Sequence, residues 1–280
     1  GDPDAMLTLA KCIAFGQGVK QDAKLAETRI TEAAKKGNVE AIELAQLIND
    51  CKGQKPVYIS RFNKNLEWED PYDGDESEKS QKYCGFVFVE CSSTHFDHVG
   101  YLMNIVPIKT MRIRDCQELR PTTEQSGVSF FSEALKTNTT LTKLILDGND
   151  VGQTGATSLS DALMINTTLT VFHMKENDIG DAGVTSLSDY LKVNASLTEL
   201  NLSWNYIGDS GAASLSDALK INTTLTKLDL SSNEIEGTGA KSLSDALKSN
   251  TALIQLNLKK NCIGDVGTTS LSGAIKANTT

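Results

Sequence analysis

Three histidines, two tryptophans and five prolines are spread over 280 residues, and no two of the six cysteines form a Cys-x-x-Cys pair. That leaves little from which to build a metal centre or a catalytic triad. Neither a Walker-type loop nor a Gly-x-Gly-x-x-Gly fingerprint occurs, so nothing marks a nucleotide site. Positive charge is also short. Twenty-seven lysines and arginines face 36 aspartates and glutamates, for a net charge of −9. An acidic surface speaks against nucleic acid and against an anionic membrane as partner. No run of 18 apolar residues is present, which excludes a helical membrane span. The opening GDPDAMLTLAKC has no basic region followed by an apolar core, so it is not a signal peptide. It reads as the middle of a folded unit, and the closing KANTT stops inside a repeat. The expectation is a piece of a longer protein. Scattered cysteines suit reduced, mostly buried thiols in a reducing compartment, so the expected location is cytoplasmic.

What the sequence has is repetition. Leu141, Leu169, Leu197, Leu225 and Leu253 follow one another at intervals of 28 residues. Each opens the pattern LxxLxLxxN, read as Leu141, Leu144, Leu146 and Asn149 in one copy and as Leu197, Leu200, Leu202 and Asn205 in another. The second copy places Phe172 and Met174 at two of the apolar positions. Alternating LxL predicts a short strand with one buried face. The asparagines Asn149, Asn177, Asn205, Asn233 and Asn261 end the strands and would stack as a ladder that satisfies backbone groups left open by the turn. The second half of each copy predicts a helix, with Ala212, Leu215, Ala218 and Leu219 on one face. Asp181, Asp209 and Asp265 precede these helices as expected N-caps. Asn166, Asn194, Asn222, Asn250 and Asn278 follow them at the place of a left-handed C-cap. Gly155, Gly183, Gly211, Gly239 and Gly267 stand where a side chain would crowd the neighbouring copy.

One strand and one helix cannot bury their own apolar face, but a stack of them can. The array resembles the leucine-rich repeat family, specifically the ribonuclease-inhibitor type with its 28-residue, helix-containing repeats. The resemblance implies an α/β solenoid: a horseshoe with a parallel concave sheet and outer helices. Degenerate copies extend it upstream. Ile108, Met111, Ile113 and Cys116 fit the template, as do Tyr83, Phe86, Phe88 and Cys91, with cysteine at the asparagine position as the family allows. From Ile108 to Leu141 is 33 residues, so ELRPTTEQ carries an insertion of about five.

The segment before the array has no LxL. Gly1 and Ala5 recur as Gly37 and Ala41, and small residues (Ala26, Ala33, Ala34) would let two helices pack closely around a GQGV turn followed by Asp22. With Gly16, Gly18 and Val19, this resembles a SEL-one-like repeat, a relative of the tetratricopeptide hairpin. The expected organisation is a SEL-one-like helical repeat over 1–50, a linker or cap with an acidic loop over 51–82, and leucine-rich repeats over 83–280. Of these, 83–140 are degenerate and 141–280 regular. Val57 to Ile59 is a candidate strand pairing with the first repeat. The acidic stretch from Glu67 to Glu78 fails as a calcium loop. With Gly74 at position 6 of an EF-hand, Pro71 and Ser80 fall where ligands are needed.

Chemistry is sparse. Cys91, His95, Asp97 and His98 cluster in CSSTHFDHVG, but no second ligand pair accompanies them. His173 stands alone. No catalytic residue, cofactor or metal is expected, and the chain is not expected to be an enzyme. Asn138, Asn166, Asn194, Asn222 and Asn278 lie in N-x-[ST], which reads better as a repeated structural turn than as glycosylation.

Within the repeat, the positions facing away from the core vary from copy to copy. The residue inside LxL runs Ile145, His173, Asn201, Asp229, Asn257; the one two before it runs Lys143, Val171, Glu199, Lys227, Gln255. The pair before the asparagine includes Lys175 and Glu176, Ser203 and Trp204, and Lys259 and Lys260. Trp204 is the candidate anchor for a partner, ringed by His173, Glu176, Glu199 and Asp229, because tryptophan is enriched in binding hot spots. The candidate partner-binding set is Trp204, His173, Lys175, Glu176, Glu199, Asn201, Lys227, Asp229, Lys259 and Lys260. The expected function is a monomeric scaffold or adaptor binding another protein on the concave face. The resemblance also admits a GTPase-activator-like regulator or a bacterial effector delivered to a host cell, and a separate alternative is the substrate-recruiting region of an enzyme whose catalytic domain lies outside this sequence.

Overall fold

The computed structural model describes residues 2–15, 17–52, 57–60, 86–90, 96–114 and 127–278. Among them, eight strands form one sheet in strict chain order: β1 (Val57–Ser60), β2 (Phe86–Glu90), β3 (Thr110–Arg114), β4 (Lys143–Ile145), β5 (Val171–His173), β6 (Glu199–Asn201), β7 (Lys227–Asp229) and β8 (Gln255–Asn257). Every neighbouring pair is parallel. Helices return the chain from β2 onward: α4 (Phe96–Ile105), α5 (Gly127–Thr137), α6 (Gly152–Leu163), α7 (Gly180–Val193), α8 (Asp209–Leu219), α9 (Gly237–Leu247) and α10 (Gly264–Ala277). Three more, α1 (Pro3–Phe15), α2 (Ala23–Lys35) and α3 (Val39–Lys52), precede the sheet. The result is an α/β solenoid horseshoe with a helical segment at its N-terminal end.

The core follows from the pattern. Leu144, Phe172, Leu200 and Leu228 are register partners on adjacent strands and all are buried. The helix leucines Leu159, Leu187, Leu215 and Leu243 are buried against them. Outside, Asp189–Lys192, Asp217–Lys220 and Asp245–Lys248 form the same exposed ion pair on successive helices. Tyr190 interrupts a row of alanines (Ala162, Ala218, Ala246). It is fully buried, its hydroxyl has no partner, and burial pushes that hydroxyl's pKa well up.

The asparagine ladder is present, and it is stronger than backbone satisfaction within one turn. Asn205 Oδ1 accepts from the Asn177 and Ile179 amides of the copy before (3.1 and 3.4 Å), and its Nδ2 donates to the Met174 and Ser203 carbonyls (2.8 and 3.1 Å). Each turn is thus bolted to the preceding one.

Three expectations are corrected. First, the asparagines after the helices are not left-handed. Asn194 and Asn278 are extended, with φ of −76° and −77°. Their side chains do the capping: Asn222 Oδ1 accepts from Thr224 and Leu225, while Nδ2 donates to Leu191 and Asn194 carbonyls at the end of the preceding helix. A second ladder therefore runs along the other edge, and burial of Asn138, Asn166 and Asn222 fits the structural reading of these motifs. Second, Asp181 and Asp209 cap the next helix rather than their own. Asp181 Oδ1 accepts from Gly208 (2.7 Å) and Gly211 (3.0 Å) at the start of α8, and Asp209 Oδ1 accepts from Glu236 and Gly239 at the start of α9. This explains the glycine. A Cβ on Gly211 would lie 2.7 Å from that carboxylate oxygen. Third, β2 is shifted by one residue. Its register aligns Val87 with Met111 and Val89 with Ile113, so the valines, not Phe86 and Phe88, stand at the register positions of those two residues. Tyr83, Cys91 and Cys116 lie outside the described residues.

The sheet also begins earlier than the template, since Val57 and Ile59 in β1 pair with Val87 and Val89. The N-terminal helices pack through small residues: Ala10, Ala14, Ala26, Ala33 and Ala41 are fully buried. Asp22 caps α2 by accepting from Leu25 N, and Gly18 turns the chain before it at φ +70°. All three helices touch α4, and α3 also touches β1, so the segment covers the first coils of the array.

Candidate partner-binding site

Apart from Val171, the outward positions of β5 to β8 are polar. His173 Nε2 and Glu199 Oε1 are 2.8 Å apart, and Lys227 Nζ lies 3.3 Å from Glu199 Oε2, so one carboxylate links three strands. Partial burial pushes the Glu199 carboxyl up. The hydrogen bond and charge of His173, with those of Lys227, outweigh it and hold the group below the usual carboxylate range. Next to this chain lies an open groove of about 550 Å³, lined by Glu199, Asn201, Lys227, Asp229, Gln255 and Asn257 among others. Ile254, 73% exposed, stands at its margin.

Asn201 and Asp229 have a second task. Each accepts from the backbone amide and hydroxyl of the serine two residues on, Ser203 or Ser231, which closes the turn. Asn257 Nδ2 donates to Asp229 Oδ2 at 2.9 Å. Both outward polar residues are thus held in place before any ligand arrives.

Trp204 is elsewhere. It lies three residues beyond the end of β6, on the turn, and does not line the groove. His173, Glu199 and Asp229 make pairs of their own. Trp204 is 50% exposed, and the ammonium of Lys260 lies 5.5 Å from its ring centroid. Its φ is +58°, a left-handed conformation that every copy adopts at this position: Gly148, Glu176, Ser232 and Lys260 have φ of 69°, 57°, 55° and 55°. Glu176 occupies the same place one copy before and is exposed; Lys175, half-buried, donates its amide to Asp147; Lys259 is exposed. The candidate residues therefore divide between two surfaces, a groove and a ridge of turns.

Tyr206 was missed by a reading that stopped at the asparagine. It is 63% exposed and also left-handed, at φ +54°. The signal was there, since the residue after the asparagine runs Asp150, Asp178, Tyr206, Glu234, Cys262. Cys262 is exposed and Cys12 half-buried, both free, so Cys262 departs from the expected buried thiols. Cys91 and His95, and the side chains of Asp97 and His98, lie outside what the structure describes, as does the acidic loop. Among the described residues no cluster could hold a metal ion, and no helix is long and apolar enough to cross a membrane.

The family model agrees with the repeat architecture. Residues 137–160, 166–188, 193–216, 222–244 and 249–272 each match the family model described as Leucine Rich repeat. No curated protein matches the chain. Among solved structures, actin-binding site 2 of leiomodin-1 is similar over 52% of this chain and 86% of its own, at 24% identity and a TM-score of 0.47. A tropomodulin C-terminal domain of Caenorhabditis elegans is similar over 54% of this chain and 92% of its own, at 16% identity and a TM-score of 0.47. The TLR13–ssRNA13 complex is similar over 64% of this chain and 23% of its own, at 19% identity and a TM-score of 0.39. Five segments between residues 137 and 272 thus match the leucine-rich repeat model.

Proposed function

We propose that the repeat array is a protein-interaction module, a scaffold or adaptor that receives its partner along the concave sheet between β5 and β8. One observation carries the reading. Core, ladder and capping positions are nearly identical in all copies, while the outward strand positions change in every copy and there surround an open polar groove. Apart from Asn201 and Asp229, which also close their turns, the fold's requirements are met without specifying those side chains, so their variety is free to encode a partner. Pre-paired groups such as His173–Glu199–Lys227 favour a polar partner surface with charges of both signs. The 28-residue period with one α-helix per copy supports the ribonuclease-inhibitor type. The alanine-packed pair α1 and α2 supports a SEL-one-like cap on the array, with residues 1–50, 51–82 and 83–280 as the three segments.

The test is co-purification with Lys227→Glu and Gln255→Arg, both exposed groove substitutions. A partner that binds the wild type and is lost from both variants, at unchanged melting temperature, is the expected result. Partners retained undiminished by both variants would remove the groove from consideration.

A further inference from the structure

The turns after the strands form two parallel rows. Backbone bonds join each turn to the next: Glu176 N to Ser203 O (3.0 Å), Trp204 N to Ser231 O (3.0 Å), Ser232 N to Lys259 O (2.8 Å). One row reads Gly148, Glu176, Trp204, Ser232, Lys260, and the other reads Asp150, Asp178, Tyr206, Glu234, Cys262. In both, the middle copy alone is aromatic. Trp204 and Tyr206 flank the fully buried Asn205, so the ladder fixes the backbone between two exposed rings. Bulky side chains seldom adopt positive φ, and here two do so within three residues.

Within the two rows, the charged residues of the adjacent copies are all acidic. Glu176 and Asp178 are one copy before the aromatic pair and Glu234 one copy after, all exposed, and none of the three makes an ion pair among the described residues. The two rows hold a single cation, Lys260. It belongs to a turn two copies away and reaches back to lie over the Trp204 ring. The ring face is therefore already occupied by an ammonium supplied by the chain itself. A π face edged by unpaired carboxylates favours a cation, and a guanidinium more than an ammonium because it stacks flat and is more weakly hydrated.

We propose that this ridge is a docking surface for a basic peptide segment of a partner protein. An arginine of that segment replaces Lys260 on the Trp204 indole, and neighbouring basic residues meet Glu176, Asp178 and Glu234. The ridge is separate from the groove and stands whether or not the groove takes a partner. Lys260 then acts as a weak internal competitor that keeps the ring covered when the ridge is empty.

The test uses a fluorescein-labelled dodecapeptide of alternating arginine and glycine, with one of alternating glutamate and glycine as its control, and anisotropy at fixed ionic strength. Trp204→Ala leaves the net charge of the protein unchanged, so general attraction to an acidic protein cannot produce a difference. It is expected to weaken arginine-peptide binding roughly fivefold. Lys260→Gln is expected to strengthen it more than Lys241→Gln, an equal charge change on an exposed residue of α9. Lys227→Glu removes a groove cation without touching the ridge, so the Trp204 and Lys260 effects should persist in its background; this separates failure of the ridge from failure of the groove. Equal binding by wild type and Trp204→Ala would overturn the proposal. So would preference for the glutamate peptide, or identical effects of Lys260→Gln and Lys241→Gln. The lysine pair keeps the test decisive if Trp204→Ala folds poorly.

Discussion

Each repeat makes two turns, one leaving the strand and one leaving the helix, and the two use the same residue differently. At the helix exit the sequence barely varies: N-T-T-L-T in three copies, with Asn166, Asn222 and their equivalents binding the copy before. At the strand exit Asn149, Asn177, Asn205 and Asn233 do the same work, but the residue before them differs in every copy, and the one after them runs Asp150, Asp178, Tyr206, Glu234. A buried amide that saturates its hydrogen bonds fixes the backbone so firmly that its neighbours need contribute nothing to the fold. One turn is therefore scaffold throughout. The other is scaffold at one residue and free at the next, which is where exposed Trp204 and Tyr206 stand.

The comparison breaks most visibly at the asparagines. Asn205→Ala leaves two amides and two carbonyls without their side-chain partner, and Asn222→Ala does the same at the opposite edge. Unsatisfied buried groups cost about 1–3 kcal/mol each, and relaxation recovers part of the sum. Each substitution is expected to destabilise by about 3 kcal/mol in urea unfolding. A large difference between them would mean that the two ladders are not equivalent supports.

A smaller effect sharpens the contact between copies. Gly211→Ala brings a methyl within 2.7 Å of Asp181 Oδ1 and 2.8 Å of Ile207 Cγ2, at an expected cost of about 2 kcal/mol. Asp181→Ala removes a cap from the next helix and costs about 1 kcal/mol. Because both act on one contact, the double variant is expected to lose less than the sum. Strict additivity would show that the carboxylate is not what excludes a side chain from position 211.

Much of this was legible in the sequence. The 28-residue period exposes itself by self-comparison, and the LxL rows, the first asparagine ladder and the crowded glycines follow from it. The misses have physical causes. FVFVE is apolar at four of five positions, so alternation cannot choose its face, and the register came out one residue off. Asp181 looked like a local cap because capping rules are local, whereas the amides that donate to it lie 27 and 30 residues downstream. The helix-exit asparagine resembled a left-handed cap in sequence, yet its amide makes the bonds a left-handed backbone would have supplied. Of the candidate site, the variable positions were readable, but their division between groove and ridge was not. That division depends on the backbone turning left-handed at Trp204.

The smallest expected effect is the most telling. In Trp204→Gly, the left-handed residue becomes the one that the first copy already uses, Gly148 at φ +69°. Relief of the strain of a bulky residue at positive φ, on the order of 1 kcal/mol, favours the variant. Against it stand the greater freedom of glycine in the unfolded chain and the lost contact with Lys260, together of similar size. The net change in stability is therefore expected within about 0.5 kcal/mol of zero, while arginine-peptide binding falls as in Trp204→Ala. A loss approaching that of Asn205→Ala would make Trp204 part of the scaffold and erase the distinction between the two turns. Near-neutral stability with lost binding would show that the strand-exit turn keeps its aromatic pair for a purpose other than folding.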